Sequence, residues 1–549
     1  MTLYLNGKVV TVDGGFSIAE AFAVTDGRFT AVGSNDEIRE LGGPVVDLGG
    51  RTVVPGFIDA HSHTVHVAVE SLGEPNLTGL TSIAAIVERI GEVAAGTEPG
   101  AWISTTPLGT PTYYFDVPDG LVERRWPTRA DLDVVAPVNP VHIPTPPFWP
   151  HPAILNSAAL RELGITRDTP DQPGLRIERD AGGQPTGVVH GMLFYNARIP
   201  LVRQLLMSLP TKTPEARQEA IATALRANLA NGLTTVYEGH GNTAFAPDLQ
   251  GLHDAGQLPG RVVGTYDVPV GKPLDLAKWM TTVADAAGAG TGDDRLRIHG
   301  LTVSLETPLH FGGALMSEPY LDQHDVLGNG ASVLTVEQLA DVARLAVQHD
   351  VRLNVLVTGD GACEIAADAL EIVHRETPLT GRSWVLQHVH HVTKEQIARF
   401  AALGLVAQVC AGVDFARGEP VYVKRLPGDQ WEHVTPVRWW IDAGVPIALG
   451  SDGAHAPLVD LWASLTRKDG RSGRSLLTPA KTMTRPEAIR GWTADAAVVL
   501  GVGDRVGSIE AGKLADFVVL DRDILTCPVD EIRDAAVLTT VVGGEVVSS

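Results

Sequence analysis

The sequence predicts an α/β protein built on a (β/α)8 barrel, because short apolar strands alternate with capped helices through residues 216–504. Three of these helices begin with a capping box, a Thr followed three residues later by Gln or Glu, at Thr335, Thr393 and Thr484. A doubly wound parallel sheet is the alternative, but no glycine-rich phosphate-binding loop follows any strand. The pattern therefore favours a barrel, in which catalytic residues lie at the C-terminal ends of the strands.

Both ends of the chain contain short β-rich runs that need partners. In residues 1–55 these runs are interrupted by Asn6-Gly7 and Asp26-Gly27, which are hairpin signals. Two further runs, 516–520 and 537–542, lie near the C-terminus. The sequence therefore predicts that strands from the two ends of the chain pair with each other.

Length and charge narrow the class of protein. A chain of 549 residues is too long for one core and predicts two or three domains. Its 44% hydrophobic and 20% charged residues are typical of soluble globular proteins. The net charge of −22 argues against nucleic acid or an anionic membrane as a partner. With neither a signal peptide nor an apolar run of membrane length, we expect a cytoplasmic protein that acts on a small molecule. Whether it forms a homo-oligomer is left open.

The most informative local pattern is an apolar run that ends in His-x-His, from Val53 to His63. Alternate side chains of a strand share a face, so His61 and His63 point the same way, with Asp59 below them. Two imidazoles on one face can hold a borderline metal ion such as zinc. The run therefore predicts a metal site at the end of a buried strand.

Several motifs, taken together, resemble the amidohydrolase superfamily and within it amidohydrolase family 3, the YtcJ-like proteins. The first is Pro55-Gly56-Phe57-Ile58-Asp59-Ala60-His61-Ser62-His63, which matches PGxIDxHxH. The second is the run 507–521, which matches GxIxxGKxADxVVLD. Further stretches similar to the family are 127–133, 136–141, 151–160 and 183–188. The resemblance extends over nearly the whole chain.

The resemblance implies a barrel beside a β-sandwich made from both termini, with a large insertion after the first barrel strand. The predicted parts are, in chain order, a first sandwich segment at 1–55, the barrel start at 56–74, an inserted lid or substrate domain at 75–215, the barrel at 216–504 and a second sandwich segment at 505–549. An insertion at this point is expected over the barrel mouth, where the active site lies. Its Tyr113, Trp149 and His151 are candidate substrate contacts, and the alternative is that the aromatic residues form the insertion's own core.

The resemblance also assigns candidate metal ligands. Asp452, in Gly450-Ser451-Asp452, matches the aspartate of the superfamily's last catalytic strand, which binds metal and takes a proton from the attacking water. His388 matches the histidine of an R-x-x-x-x-H strand, with Arg382 as the arginine. His390 and His391 follow directly and are expected to support the site or to lie at the surface.

Two ligands that the family usually has are missing. Leu356 stands where the HxxGDxA histidine is expected, and Thr302 stands where many relatives carry a lysine that can be carboxylated. Neither side chain can replace the one it stands for, so we expect one divalent ion rather than two. Glu238 is a candidate substitute, because some amidohydrolases take a metal-binding Glu from the third barrel strand. Other loop candidates are His240 and His310, and Glu306 and His310 are candidate substrate contacts.

The sequence thus predicts metal-dependent hydrolysis of a carbon–nitrogen bond in an amide-like small molecule, with an N-acyl or N-formyl compound as the expected substrate. Zinc is the expected ion, held by His61, His63, Asp452 and His388 or Glu238. Asp452 is the expected catalytic residue. Two alternatives stay open at this point: a metal-dependent lyase or decarboxylase on the same scaffold, and a catalytically impaired binding protein.

Overall fold

The structure is a computed structural model. It describes residues 1–111, 114–146, 151–172, 174–193, 196–197, 199–239, 242–269, 276, 278–281, 283, 291–323, 325–453, 456–476 and 481–549. The chain forms two compact units, one comprising Met1–His66 with Ala222–Ser549 and the other Val67–Ile221.

The first unit contains a barrel of eight parallel strands. These are β1 (Phe57–Ser62), β2 (Leu233–Glu238), β3 (Arg261–Asp267), β4 (Leu296–Ser304), β5 (Leu353–Val357), β6 (Val385–His388), β7 (Val406–Val409) and β8 (Ile447–Leu449). Each strand pairs in parallel with the next one along the chain. Just past the ends of β8 and β1, the backbone N–H of Asp452 donates to the carbonyl of His61 at 2.8 Å. The predicted barrel is confirmed, and the doubly wound sheet is excluded.

Helices connect the barrel strands, and local capping chemistry sets where several of them begin. Their bounds are Pro214–Ala230, Asn242–Asp254, Val336–Gln348, Asp360–Glu376, Lys394–Ala402, Gly412–Gly418, Val437–Asp442, Pro457–Thr466, Arg485–Gly491 and Ala494–Val499. The predicted capping boxes at Thr335, Thr393 and Thr484 are all present. Each satisfies backbone N–H groups that would otherwise be unpaired at a helix N-terminus. No helix among the described residues is long and apolar enough to cross a membrane.

Both chain termini contribute to a β-sandwich beside the barrel. One sheet consists of Thr2–Leu5, Ala21–Thr25, Arg28–Gly33 and Val45–Asp47. The other consists of Lys8–Val10, Ile18–Ala19, Thr52–Pro55, Phe517–Leu520, Val537–Val542 and Glu545–Ser548. Phe517–Leu520 pairs antiparallel with Thr52–Pro55, so the N- and C-terminal segments share one sheet. Their common core includes the stacked rings of Tyr4 and Phe22, with Phe517 packed edge-on against both. The predicted sandwich of both termini is confirmed.

The second unit, Val67–Ile221, follows the first barrel strand in sequence, as the predicted insertion does. Its five-stranded sheet contains Ile103–Ser104, Val141–Ile143, Ala153–Leu155, Arg176–Arg179 and Pro185–His190. Its helices include Ile83–Ala94, Arg129–Leu132, Ser157–Glu162 and Pro200–Ser208. The unit has apolar clusters of its own, one of them around Ile86, Ile90 and Leu132. The exact domain bounds derived from the sequence stay predictions.

Candidate metal centre

Three barrel strands place their C-terminal residues around one point. His61 lies in β1, His388 ends β6, and Asp452 follows β8. The Nε2 atom of His61 is 3.8 Å from Oδ1 of Asp452, and the rings of His61 and His388 lie 4.4 Å apart. Each residue offers one ligand atom, and these atoms all lie within 4.8 Å of one another. All three side chains are buried.

His63 completes the His-x-His pair just after β1. Its Nε2 atom lies 3.1 Å from Oδ1 of Asp452, the same oxygen that His61 approaches. Its ring centroid is 5.0 Å from that of His61. Four of the predicted ligands therefore meet at the C-terminal end of the barrel.

Glu238 ends the second barrel strand and lies near Nδ1 of His63, whereas Asp452 lies near Nε2. Its Oε2 accepts the backbone N–H of Val65 at 2.9 Å, and its Oε1 accepts that of His66 at 3.3 Å. Oε1 is also 4.0 Å from Nδ1 of His63. Glu238 thus groups with His63 and His66 rather than with His61, His388 and Asp452.

Sequence reasoning missed His66. It lies in the helix Thr64–Glu70, and its side chain joins those of His63 and Glu238 in a buried group of potential ligand atoms. The spacing was a usable signal, because His63 directly precedes this helix and His66 is its third residue, which puts the two on the same side of the first turn. Arg417 was missed as well: its Nη1 lies 3.3 Å from Oδ2 of Asp452, and no local pattern marks it.

Burial acts differently on the ionisable groups of the site. For Asp452, burial alone would raise the pKa, but the hydrogen bond from His63 and the nearby His388 and Arg417 hold it well below the ordinary value. Burial raises the pKa of Glu238 to about 8, against the effect of its two backbone hydrogen bonds. Burial also lowers the pKa of His388 to about 4. At pH 7 Asp452 is therefore ionised, Glu238 is mostly protonated, and His388 is neutral, which is the metal-binding form of imidazole.

The backbone around these residues is tightly constrained. Asp452 and His388 have φ angles of 54° and 71°, in the left-handed region that non-glycine residues rarely adopt. Such conformations cost on the order of 1–3 kcal/mol each and are concentrated at functional sites. A Cβ atom on Gly239 would lie 2.6 Å from the ring of His61. The chain after β2 therefore packs against His61 in a way that only glycine allows.

The positions of the two missing ligands have other side chains and other contacts. In β4, the Thr302 hydroxyl lies 2.6 Å from that of Thr265 and 3.1 Å from the Tyr237 hydroxyl. Tyr237 also accepts a hydrogen bond of 2.6 Å from the amide of Asn354. Leu356 is buried in β5. A hydroxyl and amide network and a leucine thus occupy the positions at which the family motifs predict a lysine and a histidine.

Glu306 and His310 follow β4 and are both buried. The Glu306 carboxylate accepts the N–H of Gly359 at 2.7 Å and the hydroxyl of Thr358 at 2.9 Å, and it also accepts the N–H groups of Leu315 and Thr358. This gives Glu306 a structural role between two loops, and its contact with substrate stays a prediction. His310 lies in the 3₁₀ turn Leu309–Phe311, and its ring nitrogens have no hydrogen-bond partner within the described part of the chain.

The remaining candidates belong to the insertion or to undescribed positions. His151 is buried in the second unit, where its ring lies 5.0 Å from that of Trp126. Tyr113, Trp149 and His240 lie outside the described residues. The substrate contacts predicted for His151, His310, Tyr113 and Trp149 therefore stay predictions.

The donor set suits a divalent metal ion. Neutral imidazole nitrogens and one ionised carboxylate are the ligands that borderline ions prefer, and here they converge in a buried cluster. Nδ1 of His388 has no hydrogen-bond partner among the residues described. A parallel barrel with such a cluster at its C-terminal end has the architecture of a metal-dependent hydrolase.

Comparison with known proteins identifies the family. Residues 44–548 match the model of the amidohydrolase family. The chain is 31% identical to N-substituted formamide deformylase of Arthrobacter pascens, over 99% of this chain and 97% of the relative. It is 27% identical to the amidohydrolase YtcJ of Bacillus subtilis (strain 168), over 96% of each. An uncharacterized metal-dependent hydrolase from Pyrococcus horikoshii OT3 has the same fold, with a TM-score of 0.73 and 22% identity over 96% of this chain and 99% of its own.

The chain therefore belongs to the amidohydrolase family, as the motifs predicted. It is a metal-dependent hydrolase that acts on carbon–nitrogen bonds other than peptide bonds. The two alternatives considered from the sequence, a lyase and an inactive binding protein, are not favoured.

Proposed function

We propose that the enzyme hydrolyses the amide bond of a small N-acyl or N-formyl compound, with one zinc-like ion and with Asp452 as the group that moves the proton. The observation that carries the proposal is the position of Asp452, whose Oδ1 lies 3.1 Å from His63 and 3.8 Å from His61. The name of the relative from Arthrobacter pascens, at 31% identity, supports an N-substituted formamide as the first substrate to test.

His61, His63, His388 and Asp452 would hold the ion. When bound, a divalent ion at such a site supplies Lewis acidity, which lowers the pKa of water and polarises a carbonyl group. Asp452 accepts the proton of the attacking water at a carboxylate oxygen, and it then donates this proton to the leaving nitrogen. Arg417, 3.3 Å from Oδ2, limits the orientations available to this carboxylate.

Glu238 positions His63 rather than binding the ion directly. It is anchored by the backbone N–H groups of Val65 and His66, and its Oε1 lies 4.0 Å from Nδ1 of His63. Carboxyl groups near the unused nitrogen of a ligand histidine commonly help to orient it around metals. At 4.0 Å the approach of Glu238 to His63 is an electrostatic contact and not a hydrogen bond. Glu238 thereby helps to set the direction in which Nε2 of His63 points.

A count of ligands supports a single ion. A second ion of the usual family kind would need donors at positions 302 and 356, where Thr302 belongs to a hydroxyl network and Leu356 offers no donor. Zinc fits best among the common ions, because three imidazoles and one carboxylate form a four-ligand set typical of it.

We also propose that the enzyme works in the cytoplasm on a freely diffusing small molecule, without a nucleic-acid or membrane partner. The net charge of −22 supports this, because such a charge repels polyanions and anionic lipid surfaces.

A substrate panel tests the proposal. The zinc-loaded enzyme is assayed with N-benzylformamide, N-benzylacetamide and benzyl formate, and release of benzylamine or benzyl alcohol is quantified by chromatography. We expect turnover of one or both amides that depends on Asp452 and stops on metal removal. If the enzyme cleaves only the ester, or if Asp452→Asn cleaves the amides at the wild-type rate, the proposal is wrong.

A further inference from the structure

The inserted unit, Val67–Ile221, contains a cavity of its own. Its volume is about 510 Å³, within the range of small-molecule binding sites. Most of its wall is apolar, including Leu72, Val93, Trp102, Met192, Leu205 and Leu206. All residues that line it belong to this unit, so the cavity is a feature of the insertion and not of the barrel residues described above.

Two opposite charges line this cavity without neutralising each other directly. The Nζ of Lys212 donates to the carbonyl of Val69 at 2.5 Å, which leaves two of its three N–H groups for other acceptors. Within the described part of the chain, the Glu70 carboxylate has no hydrogen bond or ion pair, including none with Lys212. Burial raises the pKa of Glu70, and the charge of Lys212 partly offsets this rise. Burial lowers the pKa of Lys212, and the charge of Glu70 partly offsets this fall. Both groups therefore bear a desolvation cost that a ligand with matching charges would relieve.

Neutral polar groups also line the cavity. The hydroxyl of Thr145 is buried, with no hydrogen-bond partner among the described residues. The Oγ of Ser104 lies 3.2 Å from Nδ1 of the buried His142. Burial, with a smaller contribution from the charge of Lys212, lowers the pKa of His142 to about 3, so its ring is neutral. An unpartnered buried hydroxyl is costly, which again indicates a polar ligand group at this place.

We propose that this cavity binds a small zwitterion with a bulky apolar group, of the class of the apolar α-amino acids. The ligand carboxylate would pair with Lys212, its ammonium group with Glu70, and its side chain would lie against the wall that includes Leu206 and Trp102. A ligand with one charge would satisfy only one of the two groups and leave the other half-buried and unpaired. The cavity therefore selects for both charges on one molecule.

Isothermal titration calorimetry of the zinc-loaded full-length enzyme tests this with three probes that contain no amide bond. They are L-phenylalanine, which carries both charges, 3-phenylpropanoate, which carries only the carboxylate, and 2-phenylethylamine, which carries only the ammonium group. We expect saturable binding of L-phenylalanine, at least tenfold tighter than that of either single-charge probe. Equal affinity for one of the single-charge probes, or no binding of L-phenylalanine, would overturn the proposal.

Variants locate the site. Glu70→Gln and Lys212→Met should each weaken L-phenylalanine binding at least tenfold, and Leu206→Trp should fill the cavity and abolish binding. Glu88→Gln, an exposed glutamate of the same unit, is the matched control and should bind like wild type. Circular dichroism identifies a variant that does not fold, and in that event the remaining variants decide. Unchanged binding in the folded variants would place the amino acid elsewhere and refute the assignment of this cavity.

Discussion

Nε2 of His63 lies 3.1 Å from Oδ1 of Asp452, although 389 positions separate the two residues in the chain. The barrel brings them together because its first and last strands are neighbours, joined by the hydrogen bond from the N–H of Asp452 to the carbonyl of His61. The contact keeps Asp452 ionised and aimed at the histidines. Closure of the barrel therefore assembles the candidate metal centre.

Asp452→Asn should lower kcat by about 10²–10⁴-fold, the range expected for loss of a general acid–base group. The fold should persist, because residues at the C-terminal ends of barrel strands serve activity more than stability. Steady-state kinetics on an N-substituted formamide and a thermal melt measure both effects. Asp504→Asn, at an exposed position, is the control and should match wild type. Undiminished kcat in Asp452→Asn would contradict the assignment.

The purified enzyme should contain about one equivalent of zinc per chain by elemental analysis, and His61→Ala should remove it. The reason is that loss of a direct ligand costs more than the roughly 10–100-fold in affinity that supporting residues contribute. His349→Ala, in the turn after the helix Val336–Gln348, is the matched histidine control and should retain the ion. Two equivalents in wild type would show that His66 and Glu238 build a second site.

His299 should make the protein less stable in mild acid. Its Nε2 bonds the carbonyl of Leu500 at 3.0 Å, and burial, with the charges of Arg352 and Arg297, lowers its pKa to about 3. Below about pH 6.5 the His299 imidazole binds a proton in the unfolded chain but not in the folded chain. The contribution of His299 to the free energy of unfolding is therefore fully present above that pH and is lost as the pH falls toward 3. Between pH 6.5 and 5 this amounts to about 2 kcal/mol at 1.36 kcal/mol per unit.

His299→Gln removes the titrating group and can keep a hydrogen-bond donor. Urea unfolding at pH 7 and pH 5 should therefore show about 2 kcal/mol less acid destabilisation in this variant than in wild type. His253→Gln is the control, because the pKa of the more exposed His253 is raised by Asp293, and this variant should not reduce the loss. An equal loss in His299→Gln and wild type would refute the assignment.

Asp516→Asn should destabilise the protein by about 3–5 kcal/mol, because it leaves the guanidinium of Arg261 buried without its counter-charge. Arg261 begins barrel strand β3 and donates to Asp516 at 2.6 and 2.8 Å, and both side chains are buried. Asp516 directly precedes the sandwich strand Phe517–Leu520. Denaturant unfolding measures the change, and a loss below 1 kcal/mol would show that the pair does not hold this strand to the barrel.

Deleting residues 505–549 should cause aggregation. The deletion removes Phe517–Leu520 from its pairing with Thr52–Pro55 and exposes the apolar faces of the N-terminal strands. Size-exclusion chromatography and light scattering should show large particles. A truncated protein that stays monodisperse and melts like the full chain would count against the shared sheet.

Local patterns in the sequence determined much of this protein. The alternation of strands and helices, the capping boxes at Thr335, Thr393 and Thr484, and the His-x-His pair all involve residues within a few positions of each other. These patterns depend on the geometry of one strand or one helical turn, so they sufficed to predict the barrel and to single out His61 and His63 as candidate ligands. His388 and Asp452 were predicted from the family motifs.

Only the tertiary structure decided which residues far apart in the chain contact one another at the site. The hydrogen bonds from the backbone of Val65 and His66 to Glu238, the approach of Arg417 to Asp452, and the anchoring of Glu306 join distant parts of the chain. Desolvation depends on every atom around a group, so the opposite pKa shifts of Asp452 and Glu238 exist only once the barrel has closed. No pattern within one strand or helix contains that information.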